Sequence, residues 1–394
     1  METVAIYYEG TTVYWSGIIM AAGILAGFLV SLSLYVPRNK YGYGFCIYFP
    51  IAMYSALIFS RMFHWYCYKE QYESMSIALK DYTKGGFLMP GVLLGLWITA
   101  LLLAPLTKKC SRFDILDPLA PGLALIIAII KYCDRYSDLC RGKLIISNEK
   151  YCRLPYAVLT SEGNYRFATF FVTFMLMLCV FVILLFFYYL DSRLEKRKYF
   201  DNKGHVFRIF LVLYGAVEIV MDSTRYDAAH FYFPGEALAV LNKGTGFMGF
   251  SQLIGALCCL GIFIYYLIIS AKISKWNRKH TISLIVFVLG LAMGATSEYL
   301  VQRYFGYYKY WYLIQSVGVI MIVVSIFMLY FSGTNGFKII NTKENIKKET
   351  EKNIKETEKK INFQEENDDK NINTVSDETL NIIDLDETQN IYKL

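Results

Sequence analysis

The strongest constraint on this chain is a series of apolar runs, each about as long as the ~20 residues a helix needs to cross a ~30 Å hydrocarbon core. T-V-Y-W-S-G-I-I-M-A-A-G-I-L-A-G-F-L-V-S-L is the first. Of 394 residues, 55% are hydrophobic, 17% aromatic and only 19% charged, which excludes a soluble fold of ordinary composition. The expected fold is an all-α polytopic membrane protein with about nine transmembrane helices. The runs place them near residues 13–35, 45–65, 88–106, 115–133, 168–190, 207–224, 249–270, 281–299 and 311–332. The start M-E-T-V-A-I-Y-Y-E-G lacks the basic region of a cleavable signal peptide, so the first span is expected to be retained.

The net charge of +7 is explained by its distribution. Arg38 and Lys40 follow the first span, Lys108, Lys109 and Arg112 the third, Arg193, Lys196, Arg197 and Lys198 the fifth, and Lys272, Lys275, Arg278 and Lys279 the seventh. Basic loops after odd-numbered spans put the N-terminus outside and the C-terminus in the cytoplasm. Topology accounts for this basicity, and no nucleic-acid partner is implied. From about Asn335 the chain turns to Lys, Glu, Asn and Asp, with N-I-K-K-E-T-E-K followed by N-I-K-E-T-E-K-K, a composition expected to stay disordered. Cys67, Cys133, Cys140 and Cys152 lie in or beside two long loops; pairing and free thiols are both open readings.

Within Asp117–Gly142, charge meets a membrane helix. Pro118 and Pro121 are expected to break the first turn of the fourth span, with a half-membrane re-entrant element as the alternative. Lys131, Asp134 and Arg135 fall where that span ends, and ionisable groups so placed are functional candidates by default.

Several separated pieces together resemble the prolipoprotein diacylglyceryl transferase family. They are W-S-G-I-I-M in the first span, F-S-R-M-F-H with Arg61 in the second, and G-G-F-L-M-P-G-V-L-L-G at 85–95. Asp117, Ala120, Pro121 and Gly142 then stand at the intervals of the family's D-x-x-A-P and G-R-x-G-N segment. Y-G-A-V-E-I-V-M-D-S-T-R-Y-D at 214–227 and S-Q-L-I-G at 251–255 complete the order. The resemblance implies a bacterial plasma-membrane enzyme moving a diacylglyceryl group from phosphatidylglycerol to the cysteine of a lipoprotein precursor. The partners implied are therefore a phospholipid and a lipoprotein precursor, with no cofactor and no metal. It divides the chain into a transferase-like membrane domain at 1–275, two additional helices at 276–334 and a charged cytoplasmic tail at 335–394.

The chemical groups depart from the family pattern. Where the family carries two arginines this chain has Lys131 and Glu218, where it has histidine this chain has Pro90, and Asp134 and Ser16 replace an asparagine and a tyrosine. Lys131 and Glu218 would face one another by resemblance, as an ion pair. Arg61, Lys131, Asp134, Gly142 and Arg225 are the expected lipid-binding set, and Lys131, Glu218, Asp222 and His64 the expected catalytic set. For His64 a packed side chain is the plainer reading, and for Asp222 with Arg225, three apart on one helix, a local ion pair. Two further functions stay open: a non-catalytic relative that binds lipid or lipoprotein precursor, and a small-molecule transporter built on a broken fourth helix. Inverted repeats, which a transporter would show, are not evident.

Overall fold

The structure is a computed structural model that describes residues 4–8, 11–39, 43–69, 72–80, 86–103, 112–136, 140–145, 152–161, 163–193, 204–226, 228, 248–274, 276–303 and 308–334. Gly85, the first residue of the 85–95 segment, and the charged tail lie outside these residues. The described residues all fall in one compact unit, residues 1–334.

Among the described residues this unit has ten helices: α1 Trp15–Asn39, α2 Tyr43–Cys67, α3 Met75–Lys80, α4 Met89–Leu103, α5 Arg112–Cys133, α6 Thr169–Arg193, α7 His205–Thr224, α8 Phe250–Ser274, α9 Arg278–Arg303 and α10 Tyr308–Thr334. Two short hairpins accompany them, β1 Val4–Tyr8 with β2 Thr11–Tyr14, and β3 Ala157–Leu159 with β4 Tyr165–Phe167, both antiparallel. A helix thus stands at each of the nine expected positions. Seven of them are long and apolar enough to cross a membrane. The other two differ for physical reasons: α4 has 15 residues, and α7 carries Arg208, Glu218 and Asp222.

The expected break at Pro118 and Pro121 is absent, and the fourth span is long and apolar enough to cross a membrane. α5 runs unbroken for 22 residues with Pro118 and Pro121 inside it. It is the most enclosed of the seven, with 72% of its apolar window buried against at most 39% elsewhere. Leu116, Leu119, Ala120, Leu123, Ala124 and Ala128 are all sealed in the core. On its α1 side Gly122 makes room for contact, since a Cβ there would lie 2.4 Å from the Gly27 carbonyl oxygen. α2 packs on α4, α5 on α6, α7 on α8, and α9 on α10, with α10 also against α7 and α8. The apolar side chains left outside, such as Leu25, Leu29, Tyr54, Trp97, Val182, Phe186 and Ile320, form the surface a bilayer would cover.

Both ends of α5 hold α7. At one end Asp117 is buried and accepts two backbone N–H bonds, from Gly204 at 2.6 Å and Phe207 at 2.9 Å. It therefore caps α7 from another helix, satisfying amides that have no partner within the first turn. At the other end α5 passes into a 3-10 turn, Asp134–Tyr136, and Lys131 meets α7 directly.

Candidate functional site

The site gathers where α5 and α7 both end. The intervening segment 140–145 is stitched between two neighbours. On one side Gly142 N–H donates to Phe167 O at 2.8 Å and Phe167 N–H to Lys143 O at 3.1 Å. On the other, Lys143 N–H donates to Thr224 O at 3.0 Å and Tyr226 N–H to Arg141 O at 3.2 Å, with Gly142 opposite Arg225. A side chain at 142 has no room, because a Cβ would fall 2.6 Å from Phe167 Cβ and 2.7 Å from Thr169 Oγ1. Gly142 is thus a seat for backbone pairing, and that pairing fixes the last turn of α7 beside Lys131.

Five predicted side chains come together there. Lys131 Nζ lies 3.9 Å from Glu218 Oε1, with 12% and 5% of the two side chains exposed. Arg225 Nη1 lies 3.4 Å from Asp222 Oδ1. Asp222 is buried, and its second oxygen, Oδ2, has no hydrogen-bond partner among the described residues. Asp134, in the turn after α5, lies within electrostatic reach of Lys131, as does Arg225. The ion pair expected between Lys131 and Glu218 therefore exists, and each cation of the cluster faces a carboxylate.

Arg61 and His64 form a second cluster. Arg61 is 1% exposed; its Nε donates to Ala78 O at 2.7 Å and its Nη1 to Gly86 O at 2.8 Å, with the Tyr72 and Phe87 rings 5.4 and 5.7 Å away. This guanidinium ties α3 and the start of the α4 segment to α2. His64 lies against Gly86, with its Nδ1 3.4 Å from Tyr72 Oη and its ring 4.7 Å from that of Tyr68. The two clusters adjoin where Phe63 meets Phe250 at 5.4 Å and where Cys67 comes within electrostatic reach of Asp222. Cys67 and Cys133 are free thiols.

Arg61 supports a direct test. Arg61→Lys should lower stability by about 2 kcal/mol, because one ammonium cannot reproduce a planar fork serving two buried carbonyls. Thermal unfolding in detergent and proteolysis within 72–86 would report it. Unchanged stability would free Arg61 for a ligand-binding role.

Sequence reasoning missed a third group, on the last three helices. Glu298 on α9 is 4% exposed and accepts from three amides: Gln252 Nε2 at 3.0 Å, Gln315 Nε2 at 2.8 Å and Gln302 Nε2 at 2.8 Å. Gln252 and Gln315 also donate to Ile219 O on α7, at 3.0 and 3.3 Å. Gln302 Oε1 accepts from Lys143 Nζ at 3.4 Å. Burial pushes the Lys143 ammonium down from the ordinary lysine range, and the Glu298 charge partly offsets this. A glutamate inside an apolar run is the signal that could have found this group.

A multi-pass helical membrane protein with a buried, mixed-charge site at one end of its bundle is the class these features define. The chain belongs to the prolipoprotein diacylglyceryl transferase family, whose sequence profile matches residues 3–254. It is 24% identical over 277 residues to a phosphatidylglycerol–prolipoprotein diacylglyceryl transferase of Clostridium botulinum (strain Hall), covering 69% of this chain and 99% of that protein. The enzyme of the same name from Limosilactobacillus reuteri (strain DSM 20016) is 24% identical over 226 residues, 55% of this chain and 78% of the relative. The match to the family ends before α9 and α10 begin. Among the described residues no three histidine, cysteine, aspartate or glutamate side chains are grouped to hold a metal ion.

Proposed function

We propose that this protein transfers a diacylglyceryl group from a phospholipid, phosphatidylglycerol by family, to the cysteine thiol of a lipoprotein precursor. On this reading it works at the bacterial plasma membrane, with N-terminus outside and C-terminus in the cytoplasm. The observation that carries it is the convergence of Lys131, Asp134, Gly142, Glu218, Asp222 and Arg225 at one end of α5 and α7, on a chain of this family.

In the reaction the thiol sulfur attacks the glycerol carbon that bears the phosphate. The carbon–oxygen bond breaks, and the phosphate leaves with the rest of the headgroup. Lys131 and Arg225 supply the cations that offset charge on the leaving phosphate. Asp222, whose Oδ2 has no hydrogen-bond partner among the described residues, is the acceptor for the thiol proton. His64, held among Tyr68, Tyr72 and Gly86, is assigned to packing, and Arg61 to tying α3 and Gly86 to α2.

The test is transfer of labelled lipid to a cysteine-bearing precursor peptide by the purified protein in liposomes. Wild type should label the peptide, and Asp222→Asn should slow labelling by about 100-fold, the scale of a lost general base. A well-inserted wild-type protein that labels nothing would overturn the enzyme reading.

The 3.9 Å Lys131–Glu218 pair favours a second reading, a relative that binds lipid or precursor without transfer, because the cation is already compensated. That reading requires Lys131→Arg with Glu218→Arg before phosphatidylglycerol is held in preference to zwitterionic lipid. Strong preference in the unaltered protein would count against it.

A further inference from the structure

We propose that Glu298 is a positioning residue for the site, so that α9 and α10 work as part of it. This inference rests on the reading of the Lys131–Asp222 cluster given above. The last two helices lie beyond the matched family residues, yet they enter the same polar core.

A buried carboxylate whose partners are three neutral amides is an expensive way to join helices, since apolar side chains of similar volume would pack there at no electrostatic penalty. What the carboxylate does, and an apolar group would not, is orient amides. Gln252 is fixed at both ends of its amide: Oε1 accepts from Gly249 N–H at 2.8 Å, and Nε2 donates to Ile219 O and to Glu298. Gln315 repeats the bridge from α10, joining Glu298 to the same Ile219 carbonyl.

Ile219 is the residue after Glu218 and lies one helical turn before Asp222. Clamping its carbonyl from two helices fixes the turn of α7 that carries both carboxylates. Gly249, held by Gln252, lies against Asp222 itself: a Cβ there would be 2.1 Å from Oδ2. The third branch, through Gln302, holds the Lys143 ammonium, whose backbone N–H bonds Thr224 next to Arg225. One carboxylate therefore fixes α7, the start of α8 and the 140–145 segment at once.

The experiment uses the full chain in liposomes and three variants. Glu298→Ala removes every acceptor. Glu298→Gln keeps one oxygen for Gln252 and Gln315 but gives up the third branch, since its NH2 obliges the Gln302 amide to turn over and withdraw its oxygen from Lys143. Ser283→Ala, which removes the 2.7 Å bond from Ser283 to Ser325 O between α9 and α10, is the control for a purely structural defect. In Glu298→Ala, kcat should fall about tenfold while the KM for donor lipid stays within about threefold, because the lost interactions orient the reacting groups and do not bind lipid. Glu298→Gln should return kcat to within about threefold of wild type, and Ser283→Ala should lower the melting temperature without moving kcat. Unchanged kcat in Glu298→Ala, or an equal loss in Ser283→Ala, overturns the proposal.

Should wild type transfer nothing, the transferase reading falls, and hydrogen exchange decides the positioning. Faster exchange at amides 221–226 in Glu298→Ala, absent in Ser283→Ala, supports it. Equal exchange in the two overturns it.

Discussion

Replacing Asp117 by alanine should destabilise the protein by about 3 kcal/mol, the sum expected for losing two charge-assisted bonds to buried amides at a helix start. The two bonds, from Gly204 and Phe207, are short, and the carboxylate is enclosed, so water cannot take its place. The effect should extend beyond a frayed first turn. α7 enters the core at His205, Val206 and Phe207, all buried, and its far end carries Glu218 and Asp222. Asp117→Asn should fall between the two, because one amide oxygen accepts only one of the bonds while the NH2 faces the other donor. Thermal unfolding followed by circular dichroism in detergent would show the order wild type, Asn, Ala. Equal melting temperatures for all three would remove Asp117 from the framework.

Asp117 also shows which part of this structure the sequence carried openly. As a letter in D-x-x-A-P it marks the chain as family-like, but its partners lie 87 and 90 residues away, and no local pattern names them. The helices were legible because bilayer length and hydropathy are properties of a single run. The Lys131–Glu218 contact was legible only through resemblance, since two exchanged charges at family positions imply one meeting point. Arg61 was legible as a group in need of partners, because an arginine in a span signals that need, but not that backbone carbonyls of Ala78 and Gly86 would be among them. Pro118 and Pro121 misled. A lost backbone bond matters less in a helix enclosed on most sides, where neighbours such as α1 hold the geometry. Glu298 obeys the same charge-in-an-apolar-run rule that drew notice to Lys131, but the family likeness stops before it, and its glutamine partners come from three different helices.

The Lys131–Glu218 pair should show the largest coupling in the molecule. Lys131→Met leaves Glu218 buried without its cation, and Glu218→Met leaves Lys131 buried without its anion; each should cost about 3–5 kcal/mol. The double variant should return to within about 1 kcal/mol of wild type, because removing both charges also removes both desolvation penalties. Thermal unfolding of all four proteins closes this cycle, and additive losses would mean that Lys131 is compensated by another group. The same cycle separates stability from ligand binding. Glu218→Gln keeps the shape but frees the ammonium, so binding of anionic over zwitterionic lipid should strengthen as stability falls. An anionic phosphate reaching the wild-type site must displace Glu218 from Lys131 or Asp222 from Arg225, at separations of 3.9 and 3.4 Å. If Glu218→Gln loses stability without gaining affinity for anionic lipid, Lys131 serves the fold alone, and Arg225 is left as the cation for the donor phosphate.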